Sequence, residues 1–380
     1  MDKCIYSKYC GGCSMQGISY PKQLEMKQEH AENLLKKFGN VEEIIGCQHP
    51  TNYRNKVQVS FGYDDKRRLI CGNYVSSTHM IVPIKECMIV DERANELIDS
   101  VLRIATKYKI SAFDEYSYKG CLRHLLIRTS NLGEVMLVLV TGSFNINKKE
   151  QFIRDILKYN PYVTTIVQNF NNKHTSMILG GKNTVLYGKG YIKDELCGLE
   201  FKISPSSFYQ INRFQTEVLY NTALSLADFK GNETIIDAYC GTGTIGMIAS
   251  KSVKRVLGVE LNSFAIKDAI KNAKYNKIDN IEFVCDDAGH YMENMTKNHL
   301  HLDVLIMDPP RSGASIKFLK SVLRLKPKKI IYISCGIESL RDNLSFLTRD
   351  AYSVKTIQPV DMFPYTSVGH VENIVVLERK

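Results

Sequence analysis

From about residue 206 the chain alternates short apolar, β-branched runs with helical stretches, and this rhythm limits the fold more than any other feature. TIIDAY, RVLGVE, IEFVC, DVLIMD and KIIYIS are strand-like, with helices expected from Thr244, from Ser263, through Leu319 and after Ser334. Strands this uniformly apolar must be covered on both faces. The rhythm therefore specifies a mostly parallel sheet wound with helices, closed by YSVKTIQ and ENIVVLE.

Upstream the pattern changes. VQVSF, LICGNYV, HLLIRTS, VMLVLVT, VTTIVQ, NTVLYG and LEFKIS read as strands, interrupted by helical stretches at residues 91–107 and 148–160. These predict an antiparallel α+β domain. Before it, one helix is expected within residues 14–46, with Pro21 near its start, Leu24, Ala31, Leu34, Leu35 and Phe38 on one stripe, and Gly39 as its stop. The expected division is residues 1–90 for a cysteine-bearing segment and the start of the central domain, 50–205 for the central α+β domain, and 206–380 for the α/β domain.

Three cysteines crowd the amino terminus, Cys4, Cys10 and Cys13, with Gly11 and Gly12 supplying a turn that lets two thiolates face one metal. Cys87, in PIKECMIV, is the best candidate for a fourth ligand. Four thiolates suit zinc or an iron-sulfur cluster, and spacing does not choose between them. Cys47, Cys71, Cys121, Cys197 and Cys285 lack such spacing and are expected to be buried thiols. With no apolar leader at the start and no apolar run of eighteen residues, the chain is expected to be cytoplasmic, with no membrane partner. Fifty Lys and Arg against forty Asp and Glu give a net charge of +10, which permits a polyanion partner without requiring one.

DAYCGTGTIG, residues 237–246, falls at the turn after the first strand of the parallel sheet, and Glu260 ends the next strand where a ribose diol could be held. A dinucleotide or S-adenosylmethionine would fit this pair. Asp287 after the third strand and DPPRSG after the fourth favour methyl transfer over hydride transfer. Cys335, at the tip of IYISC, and Glu372, beside His370 in DMFPYTSVGHVEN, should meet in the same crevice as a nucleophile and a base.

These motifs, together with YRNK at residues 53–56 and SFYQIN at residues 207–212, make the chain resemble the RNA uracil-5-methyltransferases that carry an amino-terminal iron-sulfur motif. The resemblance covers nearly the whole chain, although Val368 and Gly369 lengthen the segment before Glu372 and Thr244 stands where Asn is common. It implies a class I methyltransferase domain with S-adenosylmethionine as donor, and a [4Fe-4S] cluster on Cys4, Cys10, Cys13 and Cys87. It also implies that Gln210, Tyr239, Glu260, Asp287 and Asp308 line the cofactor crevice, that Cys335 is the nucleophile and that Glu372 is the base. Phe208 and Gln210 are expected to hold the uracil, and Arg54, Lys56 and Arg123 the displaced RNA strand. Arg311 is expected to lower the pKa of the Cys335 thiol. The expected substrate is a uridine of 23S rRNA, with tRNA as the alternative, and the expected state is a monomer. A non-catalytic, metal-stabilised RNA-binding protein and a cluster-bearing oxidoreductase are the readings from other classes.

Overall fold

The computed structural model describes residues 4–75, 78, 80–298 and 300–380. Two compact units emerge, and the chain passes between them more than once. The first holds residues 1–17, 51–195 and 201–206, and the second holds residues 18–50, 196–200 and 207–380.

The first helix, α1 (Tyr20–Leu35), carries a proline at its start and buries Gln23, Lys27, Ala31 and Leu35, one residue in every four. Ala31 and Leu35 enter the core of the second unit. The segment that follows α1 joins the same unit, bridging in parallel from Val41 to Ile357 and from Ile45 to Val360. The expected segment 1–90 is thus divided between the two units.

The first unit is built on a seven-stranded sheet. Its strands are β1 (Lys56–Tyr63), β2 (Leu69–Tyr74), β3 (Ile81–Pro83), β4 (Leu122–Thr129), β5 (Val135–Thr141), β6 (Val163–Phe170) and β7 (Lys182–Tyr187), in the order β3-β2-β1-β4-β5-β6-β7. Helix α2 (Glu92–Lys107) precedes β4, and α3 (Lys149–Tyr159) joins β5 to β6. The pairing is antiparallel except between β5 and β6, because a strand-helix-strand connection of this length returns the chain in the same direction. The two central strands β4 and β5 are buried throughout. A hairpin of β8 (Ile192–Leu196) and β9 (Leu199–Ile203) stands apart from this sheet.

In the second unit α4 (Arg213–Ala227) leads into β10 (Thr234–Ala238), α5 (Thr244–Ala249), β11 (Arg255–Glu260), α6 (Ser263–Tyr275), β12 (Ile281–Cys285), α7 (Ala288–Lys297), β13 (Val304–Met307), α8 (Ile316–Leu325), β14 (Lys329–Ser334), α9 (Ile337–Leu347), β15 (Tyr352–Val360) and β16 (Glu372–Arg379). The strand order is β12-β11-β10-β13-β14-β16-β15, parallel from β12 to β14, with β16 antiparallel to both β14 and β15. The order reverses between β10 and β13, and ligands of such sheets bind outside the carboxyl ends of the strands at that reversal. No helix among the described residues is long and apolar enough to cross a membrane.

Candidate active site

At the carboxyl edge of the parallel sheet the backbone is shaped to leave room. Tyr239, Gly241 and Gly243 take positive φ values of 62°, 55° and 76° as the chain turns from β10 into α5. A side chain on Gly246 would press to 2.9 Å from Asp237 Oδ2, which the Gly246 N–H instead approaches as a donor at 2.8 Å. A Cβ on Gly241 would meet only the Phe208 ring, at 3.9 Å, so this peptide faces open space where a ligand's backbone could approach.

Acidic groups from adjacent strand ends surround that turn. Glu260 accepts from the N–H of Gly241 at 3.1 Å and of Asn262 at 2.7 Å, which fixes its carboxylate at the tip of β11. Asp287 caps α7, accepting from the His290 N–H at 2.9 Å, and with burial its charge pushes the Tyr239 phenol up. Asp308 is half-buried after β13, and loss of water around its carboxyl lifts it to about 7. Asp237 is also pushed to about 7, first by burial and then by the charges of Asp308 and Glu260, and its Oδ1 has no hydrogen-bond partner. Gln210 reaches the same edge through a hydrogen bond to Tyr220, whose phenol also senses Asp308 and Asp237. The Phe208 carbonyl accepts from Thr242 Oγ1 at 3.2 Å while its ring stays 62% exposed. All the residues expected at a cofactor crevice therefore converge on one edge. Asp237, from the same glycine motif, and Tyr220 join them; helix α4, which carries Tyr220, was not foreseen in the sequence.

The antiparallel ladder between β14 and β16 ends with Ser334 paired to Asn373, so Cys335 and Glu372 each lie one residue beyond that last pair, near enough for the Glu372 charge to act on the Cys335 thiol. Val368 and Gly369 lie in the loop before β16, and Glu372 is the first residue of that strand. Glu372 is 4% exposed, and its pKa rises to about 8, through burial and the charge of Asp308, with Arg311 opposing. Gly336 permits Arg311 to lie close, since a Cβ there would fall 2.4 Å from the Arg311 carbonyl oxygen. That carbonyl accepts from Ser339 Oγ at 2.8 Å, and the guanidinium hydrogen-bonds the Cys335 thiol.

The expectation that neighbours depress the Cys335 pKa is corrected. Burial, Glu372 and Asp308 raise it to about 11, and the charge and hydrogen bond of Arg311 only offset part of that rise. A half-buried thiol near a buried carboxyl and a half-buried one ionises reluctantly, whatever cation stands beside it.

The first unit carries two further groups. Cys4, Cys10, Cys13 and Cys87 are all half-buried. Cys13 rises to about 11 through burial, opposed by a hydrogen bond from Gln16, and then through the charges of Cys87, Cys10 and Cys4. Cys87 is raised by burial and by the charges of Cys10 and Cys4, with the backbone N–H of Ile89 opposing, while the Val90 N–H donates to the Cys87 carbonyl at 3.1 Å. Asn73 Nδ2 points at Cys10 Sγ from 3.8 Å. The four thiols sense one another, yet among the described residues no three His, Cys, Asp or Glu lie close enough to share a single ion.

The second group is cationic. Lys56 pairs with Arg128 across β1 and β4, and burial together with the charges of Arg128 and Arg54 lowers Lys56 to about 8. Arg123 does not belong with them. It is 3% exposed, and its guanidinium is used by the carbonyls of Asn171, Lys173 and Thr175 and by Glu115, so it braces the interior instead of facing a strand of RNA. Of the thiols expected inside, Cys47, Cys71 and Cys121 are buried, Cys197 is half-buried and Cys285 is exposed; Cys285 ends the edge strand β12, which has a neighbour on one side only.

Comparison with known proteins agrees with this geometry. Residues 177–380 match the sequence model of the family described as tRNA (Uracil-5-)-methyltransferase. An uncharacterized RNA methyltransferase of Clostridium tetani is 39% identical over 378 residues, 98% of this chain and 81% of its own length. Another, from Listeria monocytogenes, is 40% identical over 378 residues, 98% of this chain and 82% of its own. Among solved structures, the Pyrococcus abyssi tRNA (uracil-54, C5)-methyltransferase in complex with S-adenosyl-L-homocysteine superimposes with a TM-score of 0.78 at 26% identity, over 96% of this chain and 85% of that one.

Proposed function

Because the chain belongs to the RNA uracil-5-methyltransferase family, we propose that it methylates carbon 5 of a uridine through a transient bond from Cys335, with Glu372 as the base. The observation that carries this reading is that Cys335 and the buried Glu372 flank the last β14/β16 pair, with the Glu372 charge acting on the thiol and Arg311 hydrogen-bonded to it. S-adenosylmethionine supplies an electrophilic methyl group and departs as S-adenosylhomocysteine. The groups expected to hold it are Glu260, Asp287, Asp308, Tyr239 and Gln210, around a glycine turn with open space above Gly241.

Carbon 5 of uracil is too weak a nucleophile to take a methyl group directly. Addition of the Cys335 thiolate to carbon 6 moves an electron pair toward carbon 5 and the carbonyl at carbon 4, and carbon 5 then forms its bond to the methyl carbon. Glu372 removes the proton left on carbon 5, the ring double bond re-forms, and the carbon 6 to sulfur bond breaks to return the thiolate. A carboxyl held near pH 8 by burial is a far stronger proton acceptor than an exposed one, which suits the last step. Arg311 stabilises the thiolate at entry and exit. Phe208, exposed beside the glycine turn, and Gln210 are the candidates for holding the uracil; Arg54 and Lys56 are those for its flanking phosphates.

Cys4, Cys10, Cys13 and Cys87 are the proposed ligands of a [4Fe-4S] cluster. Mutual repulsion among four half-buried thiols, with N–H groups aimed at sulfur, fits a bound cationic iron core. These four cysteines would hold the cluster through their thiolates. Its role in this reading is to hold the amino-terminal segment.

The RNA expected from the sequence is 23S rRNA. Methylation of tRNA is the second reading, and the name of the Pyrococcus abyssi relative favours it. Mapping 5-methyluridine in both RNAs from cells lacking the gene decides between them. Incubation with RNA carrying 5-fluorouridine tests the chemistry: fluorine at carbon 5 cannot be removed as a proton, so a denaturant-stable adduct accumulates on Cys335, and a lack of any adduct overturns the covalent route.

A further inference from the structure

We propose that Lys27, on the amino-terminal helix α1, is a positioning residue for the base Glu372, fastening both ends of the loop that delivers it; the inference rests on the reading of Glu372 as the base. Residues 361–371 connect β15 to β16 and end one residue before Glu372. Lys27 is 0% exposed, and its ammonium donates to Asp361 Oδ1 at 2.6 Å, to the Phe363 carbonyl at 3.0 Å and to the His370 carbonyl at 3.3 Å. Three acceptors match the three donors of an ammonium. Two of them lie at the start of the loop and the third at its end, so one nitrogen gathers the whole excursion to a point on α1.

The rest of α1 supports the same task. Gln23 Oε1 accepts from the N–H of Tyr365 at 2.9 Å, at the loop residue held at φ 65°. Tyr20 donates its hydroxyl to Asp361 Oδ2 at 2.9 Å and accepts from the N–H of Cys47. Gln23 and Lys27 occupy one buried face with Ala31 and Leu35, so a helix more than three hundred residues away in sequence sets where the loop enters β16. A buried ion pair stabilises a fold weakly against an apolar replacement of similar volume. This one is better explained by what it orients than by what it adds to stability.

The test compares the purified full-length enzyme with Glu372→Gln and with the paired variant Lys27→Met/Asp361→Leu, which removes both charges and so leaves neither buried alone. Uridine-containing substrate RNA and S-adenosylmethionine are supplied, and three quantities are measured: turnover, S-adenosylmethionine affinity, and the fraction of enzyme bound to RNA through a denaturant-stable bond. In the paired variant turnover is expected to fall at least tenfold, affinity for S-adenosylmethionine to stay within twofold, and the covalent RNA adduct to accumulate as it does in Glu372→Gln. A base out of place slows the release step after attack has occurred, an effect that general loosening of the fold does not produce. Turnover near that of the wild type, or lost turnover without adduct, overturns the role of Lys27 while Glu372→Gln accumulates adduct. Normal turnover in Glu372→Gln overturns the reading of the base itself.

Discussion

Two thiols in this chain, Cys13 in the first unit and Cys335 in the second, are both raised to about 11, and burial leads in each. Their remaining neighbours differ in kind. Cys13 is repelled by three other thiols, whereas Cys335 is repelled by the carboxyls of Glu372 and Asp308 and attracted by Arg311. A cation placed among the four thiols would relieve all of their repulsion at once, which is how a ligand set behaves. At Cys335 the repulsion depends on the protonation of Glu372 and Asp308, so the ease of forming the thiolate follows the state of the base. Similar acidities thus arise among four thiols proposed as cluster ligands and at a thiol proposed as the nucleophile.

The largest difference between these thiols should come from replacing each. Cys335→Ala is expected to lower methyl transfer by at least about 10³-fold and to abolish trapping by 5-fluorouridine RNA while leaving S-adenosylmethionine binding intact. Cys13→Ala should leave that trapping in place and remove iron and acid-labile sulfide from the anaerobically purified protein. If Cys335→Ala retains methyl transfer within tenfold of the wild type, or if wild-type protein purified under those conditions contains no iron, the contrast is broken on one side.

The carboxyl beside Cys335 gives the next effect. In the folded chain Glu372 titrates at about 8 instead of its usual 4.5, and Asp237 and Asp308 near 7 instead of 3.8. Between those values the folded state keeps protons that the unfolded chain has lost. The stability this contributes is complete below about pH 4 and is lost as pH rises toward 8. Unfolding free energy is therefore expected to fall on going from pH 5 to pH 9. Glu372→Gln should be the more stable protein at pH 9 by on the order of a few kcal/mol, with a shallower slope. Denaturant titrations across that range check it, and parallel slopes for the two proteins would mean that Glu372 titrates normally.

Arg311 offers a smaller test. Its charge and hydrogen bond favour the Cys335 thiolate, so Arg311→Ala should slow alkylation of Cys335 by iodoacetamide, by roughly three- to tenfold at pH 8. Cys13 alkylation in the metal-free protein should not change. Equal rates for Cys335 with and without the guanidinium would leave the carboxyls and burial as the only controls.

Much of this site was legible because its residues sit where strands end. Alternation of apolar runs fixes the parallel sheet, and once the sheet is drawn, Asp237, Glu260, Asp308 and Cys335 fall on one edge by chain order alone. Glu372 opens the strand that lies between β14 and β15, so it falls near Cys335 at the end of β14, and Val368 and Gly369 lie in the loop before it. What escaped the sequence depends on tertiary burial. Lys27 and Gln23 stand on the buried stripe of α1, where a reading that counts only apolar residues passes over them; a lysine four residues before Ala31 and eight before Leu35 was the available clue. Arg123 was expected to hold the displaced RNA strand, but β4 is buried along its whole length, and the guanidinium found carbonyls inside. The pKa of Cys335 escaped for the same reason, since the cost of burial cannot be read from the list of neighbours.

The smallest predicted effect contrasts Cys335 and its cation with a place where cations meet one another. Lys56 is lowered to about 8 by burial and by Arg128 and Arg54, so between pH 8 and 10.5 the unfolded chain holds a proton that the folded chain has released. Stability of the first unit consequently rises with pH through that window, and at neutral pH the folded state carries the whole cost of the buried charge. Lys56→Met should relieve that cost, stabilising the first unit at pH 7 by on the order of 1 to 3 kcal/mol. If Lys56 contacts an RNA phosphate as proposed, the same substitution should reduce the slope of log affinity against log salt by about one. An RNA phosphate would also raise the lysine's pKa, so wild-type binding should take up a proton near pH 8 and weaken by about threefold from pH 7 to pH 9, a dependence that Lys56→Met should lack. Filter-binding titrations at two pH values and three salt concentrations measure both slopes. Identical slopes in the two proteins would remove Lys56 from the RNA-binding surface and leave its buried charge without a partner in this reading.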